Sequence, residues 1–207
     1  MTKPLSQDTV FNLMQIYEST LAGHTHITEE IDLLVDILCN DAYGLACSLF
    51  LKNEGLDQET VEFFSKKALD CYDKALKLID EFTQKNNSIC LWQLLYSYLY
   101  NDLAQLHHYV FNDMEKFKSY LSLSVENRKK LHQTFSSIYP NNLFLITKFE
   151  QEYIIALSEQ CNYMEESFMK TMYKKTILSK FTEWQKELIY TSSLTDRIEA
   201  NIQKINK

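Results

Sequence analysis

Glycine and proline are scarce in this sequence, whose 207 residues include three glycines and two prolines. Average usage would supply about 14 glycines and about 10 prolines in a chain of this length. Tight hairpins, bulges and the corners of β-sandwiches depend on these residues, so their scarcity argues against a β-rich fold. Helices need few of either. We therefore expect an all-α fold, large enough to bury a core without disulfides or a structural metal.

Lysine and arginine are absent from two long stretches, residues 4–51 and 86–115. Residues 1–60 carry ten acidic and two basic side chains, a net charge of −8, whereas residues 61–207 carry 18 acidic and 19 basic ones, a net charge of +1. Nucleic acids and anionic membrane surfaces are bound by clustered basic side chains. With a whole-chain charge of −7, we expect neither as a partner.

Long apolar runs are also absent, since no stretch approaches 18 apolar residues and residues 1–8 lack the apolar segment of a secretory signal. These observations predict a cytoplasmic protein. The five cysteines are odd in number and lack CxxC spacing, so we expect them to be reduced and mostly buried. The sequence has no Gly-rich phosphate loop and no histidine three residues after a glutamate. We accordingly expect no catalytic site, no metal and no cofactor.

The spacing of apolar residues predicts eight helices, the first over residues 6–22. The helix that starts at Ser88 is apolar almost all round and should be central. N-cap residues are predicted to open the other seven helices at Thr28, Asp57, Ser88, Asn112, Asn142, Asn162 and Thr182. Short links make consecutive helices antiparallel neighbours. We therefore predict a stacked array of helical hairpins in one domain, residues 1–207.

Five segments in chain order resemble parts of the 14-3-3 family. They are residues 27–44, 67–82, 100–105, 139–140 and 169–173. In order, they are similar to the third, fourth and fifth family helices, the His-Pro before the seventh, and part of the eighth. The resemblance implies an array of antiparallel helices around a concave groove, with the first of nine family helices missing. In the family that helix builds the dimer, so dimerisation is doubtful for this chain.

The resemblance also identifies groove positions. The family binds phosphoserine or phosphothreonine with a Lys and an Arg on the third helix and an Arg-Tyr pair on the fifth. These positions match Asn40, Cys47, Asn101 and Asp102, and the remaining groove positions match Leu94, Thr147, Lys148, Gln151 and Asp196. Each charge-assisted bond to phosphate contributes roughly 1.5–3 kcal/mol, so losing three basic partners should weaken phosphate binding by about 10³-fold or more.

The function that the resemblance implies is a non-catalytic adaptor or scaffold of the signalling type. Its altered groove would accept a basic or unmodified protein segment better than a phosphorylated one. An alternative is a regulatory or peptide-sensing protein of the tetratricopeptide type, because residues 100–117 have that helix-turn-helix character although no strict 34-residue period is present. A third reading, an α-helical enzyme, requires a buried cluster of titratable groups on facing helices, which the sequence pattern does not indicate.

Overall fold

The computed structural model describes residues 29–85 and 89–187, and these residues form six α-helices with no β-strand. The helices comprise 87% of the described residues, which confirms the all-α class. In chain order they are α1 (Glu29–Phe50), α2 (Gln58–Lys85), α3 (Ile89–Tyr109), α4 (Met114–Ile138), α5 (Leu143–Asn162) and α6 (Phe168–Glu187). The predicted first helix and most of the predicted eighth lie outside the described residues.

The chain divides into two compact units, Met1–Tyr120 and Leu121–Lys207, and the division falls within α4. Helices α1, α2 and α3 belong to unit 1, where α2 packs against both α1 and α3. Helices α5 and α6 pack against each other in unit 2. We predicted a single domain over residues 1–207, and because one continuous helix crosses the division, that remains a prediction.

The core of unit 1 is built from the apolar faces of α1, α2 and α3. Its largest fully buried side chains include Phe50, Phe64, Tyr72, Ile79 and Leu99. Helix α3 contributes Trp92, Leu95, Leu99 and Leu103 to this core. However, α2 makes the more extensive contacts with the other two helices, so the predicted central position of α3 is not confirmed. Apolar residues every three or four positions place these side chains on one side of each helix, so the pattern predicts the buried face directly.

The core of unit 2 is smaller and centres on α5 and α6. Ile154, Leu157 and Cys161 of α5 pack with Ile177, Phe181 and Trp184 of α6, and Val125 of α4 joins them. The rings of Phe181 and Trp184 lie 5.7 Å apart between centroids. No residue belongs to both described cores.

Two of the predicted N-caps are confirmed. The Asp57 carboxylate accepts a hydrogen bond from the Thr60 backbone N–H at 2.8 Å, and the Asn142 side chain accepts one from Leu145 at 3.2 Å. Both bonds satisfy backbone donors that the first turn of a helix leaves free. The caps predicted at Thr28 and Ser88 lie outside the described residues.

Three other predicted helix starts are wrong. Asp113 rather than Asn112 caps α4. The Asp113 carboxylate accepts a hydrogen bond from the Lys116 backbone N–H, and Asn112 has a positive φ of 51°. Asn162 is the last residue of α5, and Ser167 accepts the first-turn bond of α6 instead. Thr182 lies inside α6, where its hydroxyl donates to the Leu178 carbonyl. A Thr hydroxyl can bond to the preceding turn of a helix as well as cap a new one, which is why the pattern misled.

Helix α1 is the most apolar of the described helices by composition. Its segment Asp32–Phe50 has 19 residues and a mean hydropathy of 1.4, enough in length and composition to cross a membrane. Half of that segment is buried inside the protein. Its side chains Ile37, Tyr43 and Phe50 form part of the unit 1 core, so burial against α2 accounts for the same composition.

Gly44 lets α1 approach α2 closely. A Cβ atom at this position would lie 2.7 Å from Cε1 of Tyr72, which is shorter than any van der Waals contact. The Tyr72 ring is fully buried and so cannot move aside freely. The glycine in the middle of α1 therefore makes room for the tyrosine of α2.

Candidate functional site

Two of the positions matched to the family groove, Asn40 and Cys47, are buried on α1. The Asn40 Nδ2 donates to the Asp36 carbonyl at 2.6 Å, one helical turn earlier. Cys47 has no exposed surface, and burial raises the pKa of its thiol to about 12. At these two positions the protein has a satisfied amide and a neutral thiol in place of the two family cations.

The unit 1 positions on α3 are more accessible. Leu94, Asn101 and Asp102 are half-buried, and the Asn101 Nδ2 donates to Oδ1 of Asp102 at 3.3 Å. Asp102 is the one acidic or basic residue of α3, apart from the histidines near its end. The structure therefore places a carboxylate on an otherwise uncharged helix at the position that the resemblance assigns to the family's tyrosine.

Asp102 interacts with two titratable groups that lie on the other helices of unit 1. Burial and then the Asp102 carboxylate raise the pKa of Asp41, on α1, to about 7. Burial followed by Asp102 also raises the pKa of Tyr72, on α2, well above its ordinary value. We call Asp41, Tyr72 and Asp102 the acidic cluster. Each of the three helices of the unit contributes one of its members.

Hydrogen bonds connect the acidic cluster to other residues of α1. The Tyr72 hydroxyl lies 3.2 Å from Oγ of Ser48, which donates to the Gly44 carbonyl at 2.8 Å. Oδ1 of Asp41 is buried and has no hydrogen-bond partner among the described residues. A buried carboxylate oxygen without a donor is disfavoured as an anion, which is consistent with the direction of the Asp41 pKa shift.

A lysine of α2 lies near one side of this region. The Lys67 Nζ is 5.1 Å from the centroid of the Tyr43 ring, and its charge partly offsets the raised pKa of Cys47. Helices α1 and α3 themselves contain no lysine or arginine. The carboxylates of α1 and α3 therefore lie on helices that supply no basic side chain.

The remaining matched positions lie in unit 2 or beyond the described residues. On α5, Thr147 is half-buried, Lys148 is exposed and Gln151 is buried. The Gln151 Nε2 has no hydrogen-bond partner in the part of the chain that the structure describes. Asp196 lies outside the described residues. A groove that unites these positions with those of unit 1 stays a prediction.

Sequence reasoning missed the acidic cluster. We expected no buried cluster of titratable groups on facing helices, and the structure brings together the buried Tyr72 and the half-buried Asp41 and Asp102. A signal was present, because Asp41 is the one charged residue between Ile37 and Leu51, and Asp102 is equally isolated. A lone carboxylate on an apolar helix indicates a buried charge, but its partner 61 residues away becomes visible only in three dimensions.

Among the described residues no group of three His, Cys, Asp or Glu side chains could hold a metal ion. No protein-family model, curated protein or solved structure matches this chain. The similarity to 14-3-3 proteins therefore remains a prediction from the quoted segments.

Proposed function

We propose that this protein is a non-catalytic cytoplasmic adaptor or scaffold that binds a basic, unphosphorylated protein segment at unit 1. One observation carries the proposal. The carboxylates of Asp41 and Asp102 interact across α1 and α3, two helices that contain no lysine or arginine. The region that the resemblance assigns to phosphate recognition is therefore acidic.

The charge of this region depends on pH near neutrality. With a pKa of about 7, Asp41 is half ionised at neutral pH, while Asp102 supplies the charge that opposes its ionisation. A phosphorylated ligand would add a further charge of the same sign. A lysine or arginine from a partner would instead favour the ionised carboxyl. Binding of a basic segment should therefore release a proton, and its affinity should rise as the pH increases through 7.

A catalytic role for the acidic cluster is less well supported than this binding role. Tyr72 is fully buried, and its raised pKa keeps the hydroxyl protonated and unsuited to act as a base. The Tyr72 hydroxyl lies within hydrogen-bond distance of Ser48, so it already has a partner inside the core of the unit. General acid–base catalysis needs a group within reach of a bound substrate. The fully buried Tyr72 side chain fits a structural role better.

Fluorescence anisotropy with an arginine-containing peptide and its phosphoserine twin tests the proposal. We expect the unphosphorylated peptide to bind more tightly, with an affinity that increases between pH 6 and 8 and decreases with salt, as for electrostatic binding at a partly exposed site. Asp102→Asn should weaken this binding and move its pH dependence to lower pH, because it removes the second cause of the raised Asp41 pKa and leaves burial in place. Asp73→Asn, which deletes an exposed acid of α2, is the matched control. Micromolar binding that requires the phosphate would contradict the proposal.

A tetratricopeptide-type peptide-binding protein is the second candidate. It is favoured by the hairpin of α3 and α4, whose antiparallel legs are joined by residues 110–113. His108 stacks on Phe117 at 4.6 Å and Tyr100 on Tyr120 at 6.2 Å, so the contacts run in opposite directions along the two helices. Photo-cross-linking of the bound peptide separates the candidates. Labelling of α1 together with α3 supports the first, and labelling confined to the α3/α4 hairpin supports the second.

A further inference from the structure

The turn between α4 and α5 exposes four large apolar side chains. Ile138 is 54% exposed and Tyr139 53%, and across the turn Leu143 is 70% exposed and Phe144 78%. We call these four residues the apolar tip. Single exposed apolar residues are common on proteins, but a contiguous group at the end of a hairpin marks an interaction surface.

The hairpin that carries the apolar tip has a charge opposite to that of the whole protein. Residues 133–147 contain no charged side chain. Residues 127–149 contain four basic residues and no acidic one, in a chain whose net charge is −7. The basic residues are Arg128, Lys129, Lys130 and Lys148. The apolar tip is thus flanked on both helices by positive charge.

Contacts directly behind the apolar tip hold the two helices together. The Phe135 ring lies 4.8 Å from Tyr139 on its own helix and 5.0 Å from Phe149 on α5. Further back, Arg128 forms an ion pair with Glu152 at 3.3 Å, so its charge is already used within the hairpin. Lys129, Lys130 and Lys148 are exposed, and Lys130 also pairs with the exposed Glu126 at 2.7 Å, a surface pair that water screens. The hairpin therefore presents an apolar end with three accessible lysines behind it.

The spacing between the apolar tip and these lysines fits the boundary of a lipid bilayer. Lys148 follows Phe144 by four residues, or about 6 Å along a helix, and Lys130 precedes Ile138 by eight residues, or about 12 Å. Interfacial segments bury apolar side chains about 5–10 Å into the boundary between headgroups and acyl chains. Lysines at these distances would then lie at the level of the anionic headgroups.

We propose that the apolar tip inserts into the surface of an anionic membrane while Lys129, Lys130 and Lys148 contact its headgroups. This inference goes beyond the proposed adaptor function and would place the adaptor at a membrane surface. It also revises the expectation drawn from net charge, because the relevant charge is local to one hairpin. The basic surround favours an anionic surface, and the set-back of the lysines from the apolar tip fits the depth of a headgroup layer.

Co-sedimentation of the full chain with phosphatidylcholine vesicles, with and without phosphatidylserine, tests the inference. We expect the chain to bind the anionic vesicles, and we expect salt to weaken this binding. Binding to pure phosphatidylcholine should be slight. The double variant Leu143→Ser/Phe144→Ser should reduce binding about tenfold or more, because it removes the apolar insertion. Circular dichroism should show that the variant keeps its helical content.

Phe168→Ser provides the matched control, since Phe168 is 76% exposed at the start of α6 but follows the acidic residues Glu165 and Glu166. It should leave vesicle binding unchanged. Failure of the wild-type chain to bind anionic vesicles would overturn the inference, as would equal binding by the double variant. If sedimentation shows a dimer that is lost in the double variant, the apolar tip is a self-association surface. That result would also overturn the inference of membrane binding. None of these outcomes depends on peptide binding at unit 1.

Discussion

The two units of this protein differ in the protonation and pairing of the polar groups at their helix contacts. In unit 1 three helices contribute Asp41, Tyr72 and Asp102, and the raised pKa values of Asp41 and Tyr72 favour their protonated forms. In unit 2 the contacts use ion pairs, with Arg128 to Glu152 at 3.3 Å and Lys180 to Glu150 at 2.9 Å. At these helix contacts, unit 1 favours the protonated form of the Asp41 carboxyl, whereas unit 2 pairs the Glu150 and Glu152 carboxylates with cations.

The overall charge of each unit follows the same division. Residues 1–120 contain 18 acidic and nine basic side chains, whereas residues 121–207 contain ten and twelve, giving −9 and +2. The net charge of −7 thus conceals an acidic unit and a slightly basic one. The difference shows that partners should be inferred unit by unit, because a basic peptide and an anionic membrane fit different parts of the same chain.

The largest expected effect is on the core of unit 2. Trp184→Ala should lower the free energy of unfolding by about 3–5 kcal/mol, because Trp184 is almost completely buried against Phe181. Since no residue belongs to both described cores, hydrogen exchange should increase mainly in residues 121–187. Thr182→Ala, at an exposed position of the same helix, is the control. An equal loss of protection in α1 and α2 would show that the two units unfold together.

The next effect concerns the pH dependence of unit 1. The pKa of Asp41 is raised to about 7 from an ordinary value of 3.8. The folded protein therefore binds more protons than the unfolded chain between these values, so its free energy of unfolding should fall as the pH rises from about 4 to 7. Above pH 7 this contribution should level off.

Asp41→Asn should remove that pH dependence and stabilise the protein at pH 8 by up to about 4 kcal/mol, since the amide resembles the protonated carboxyl. Burial lowers the pKa values of His107 and His132, which reduces stability at acid pH in both proteins. The difference between wild type and variant in urea denaturation therefore isolates Asp41. Parallel stability curves from pH 4 to 8 would argue against a raised pKa for this group.

A smaller effect is expected at the contact between α1 and α2. Gly44→Ala places a methyl group 2.7 Å from the Tyr72 ring and should destabilise the protein by about 1–3 kcal/mol. In a Tyr72→Leu background, the same change should be less destabilising because the ring is gone. A double-mutant cycle by chemical denaturation measures this coupling. Equal effects in the two backgrounds would mean that Tyr72 is not what requires the glycine.

The smallest effect should come from the ion pairs of unit 2. Arg128→Met leaves the partly buried Glu152 carboxylate without its cation and should destabilise by about 1–2 kcal/mol. Lys130→Met removes an exposed pair with Glu126 and should change stability by about 0.5 kcal/mol or less. Thermal denaturation of the two variants compares them directly. If Lys130→Met is the more damaging, burial does not set the importance of these pairs.

Much of the helical architecture could be predicted from the sequence because its causes are local. Apolar spacing located the six described helices, and the short side chains of Asp57 and Asn142 cap them as predicted. The errors at Asn112 and Asn162 arose where neighbouring polar residues competed for the same role, and the error at Thr182 arose because the helix continues through it. Asp113 and Ser167 lie within five residues of the predicted caps, and tertiary packing decides among such neighbours.

The candidate site was predicted less completely. The absence of basic residues on α1 and α3 is a property of the sequence and required no structure. The resemblance selected Asp102 but not Asp41 or Tyr72, because a single sequence contains no record of which side chains meet across helices. Likewise, the sequence contains Leu143 and Phe144 as ordinary apolar residues, and only their exposure distinguishes them from core positions.

By itself, the sequence determined the helical class, the approximate lengths of the helices and the segregation of charge along the chain. These properties depend on backbone propensity and on composition, which act over a few residues. The tertiary structure alone decided that Asp41, Tyr72 and Asp102 interact, that Gly44 accommodates a tyrosine, and that an apolar tip projects from unit 2. Burial and electrostatic interaction depend on contacts between distant residues, and packing establishes those contacts.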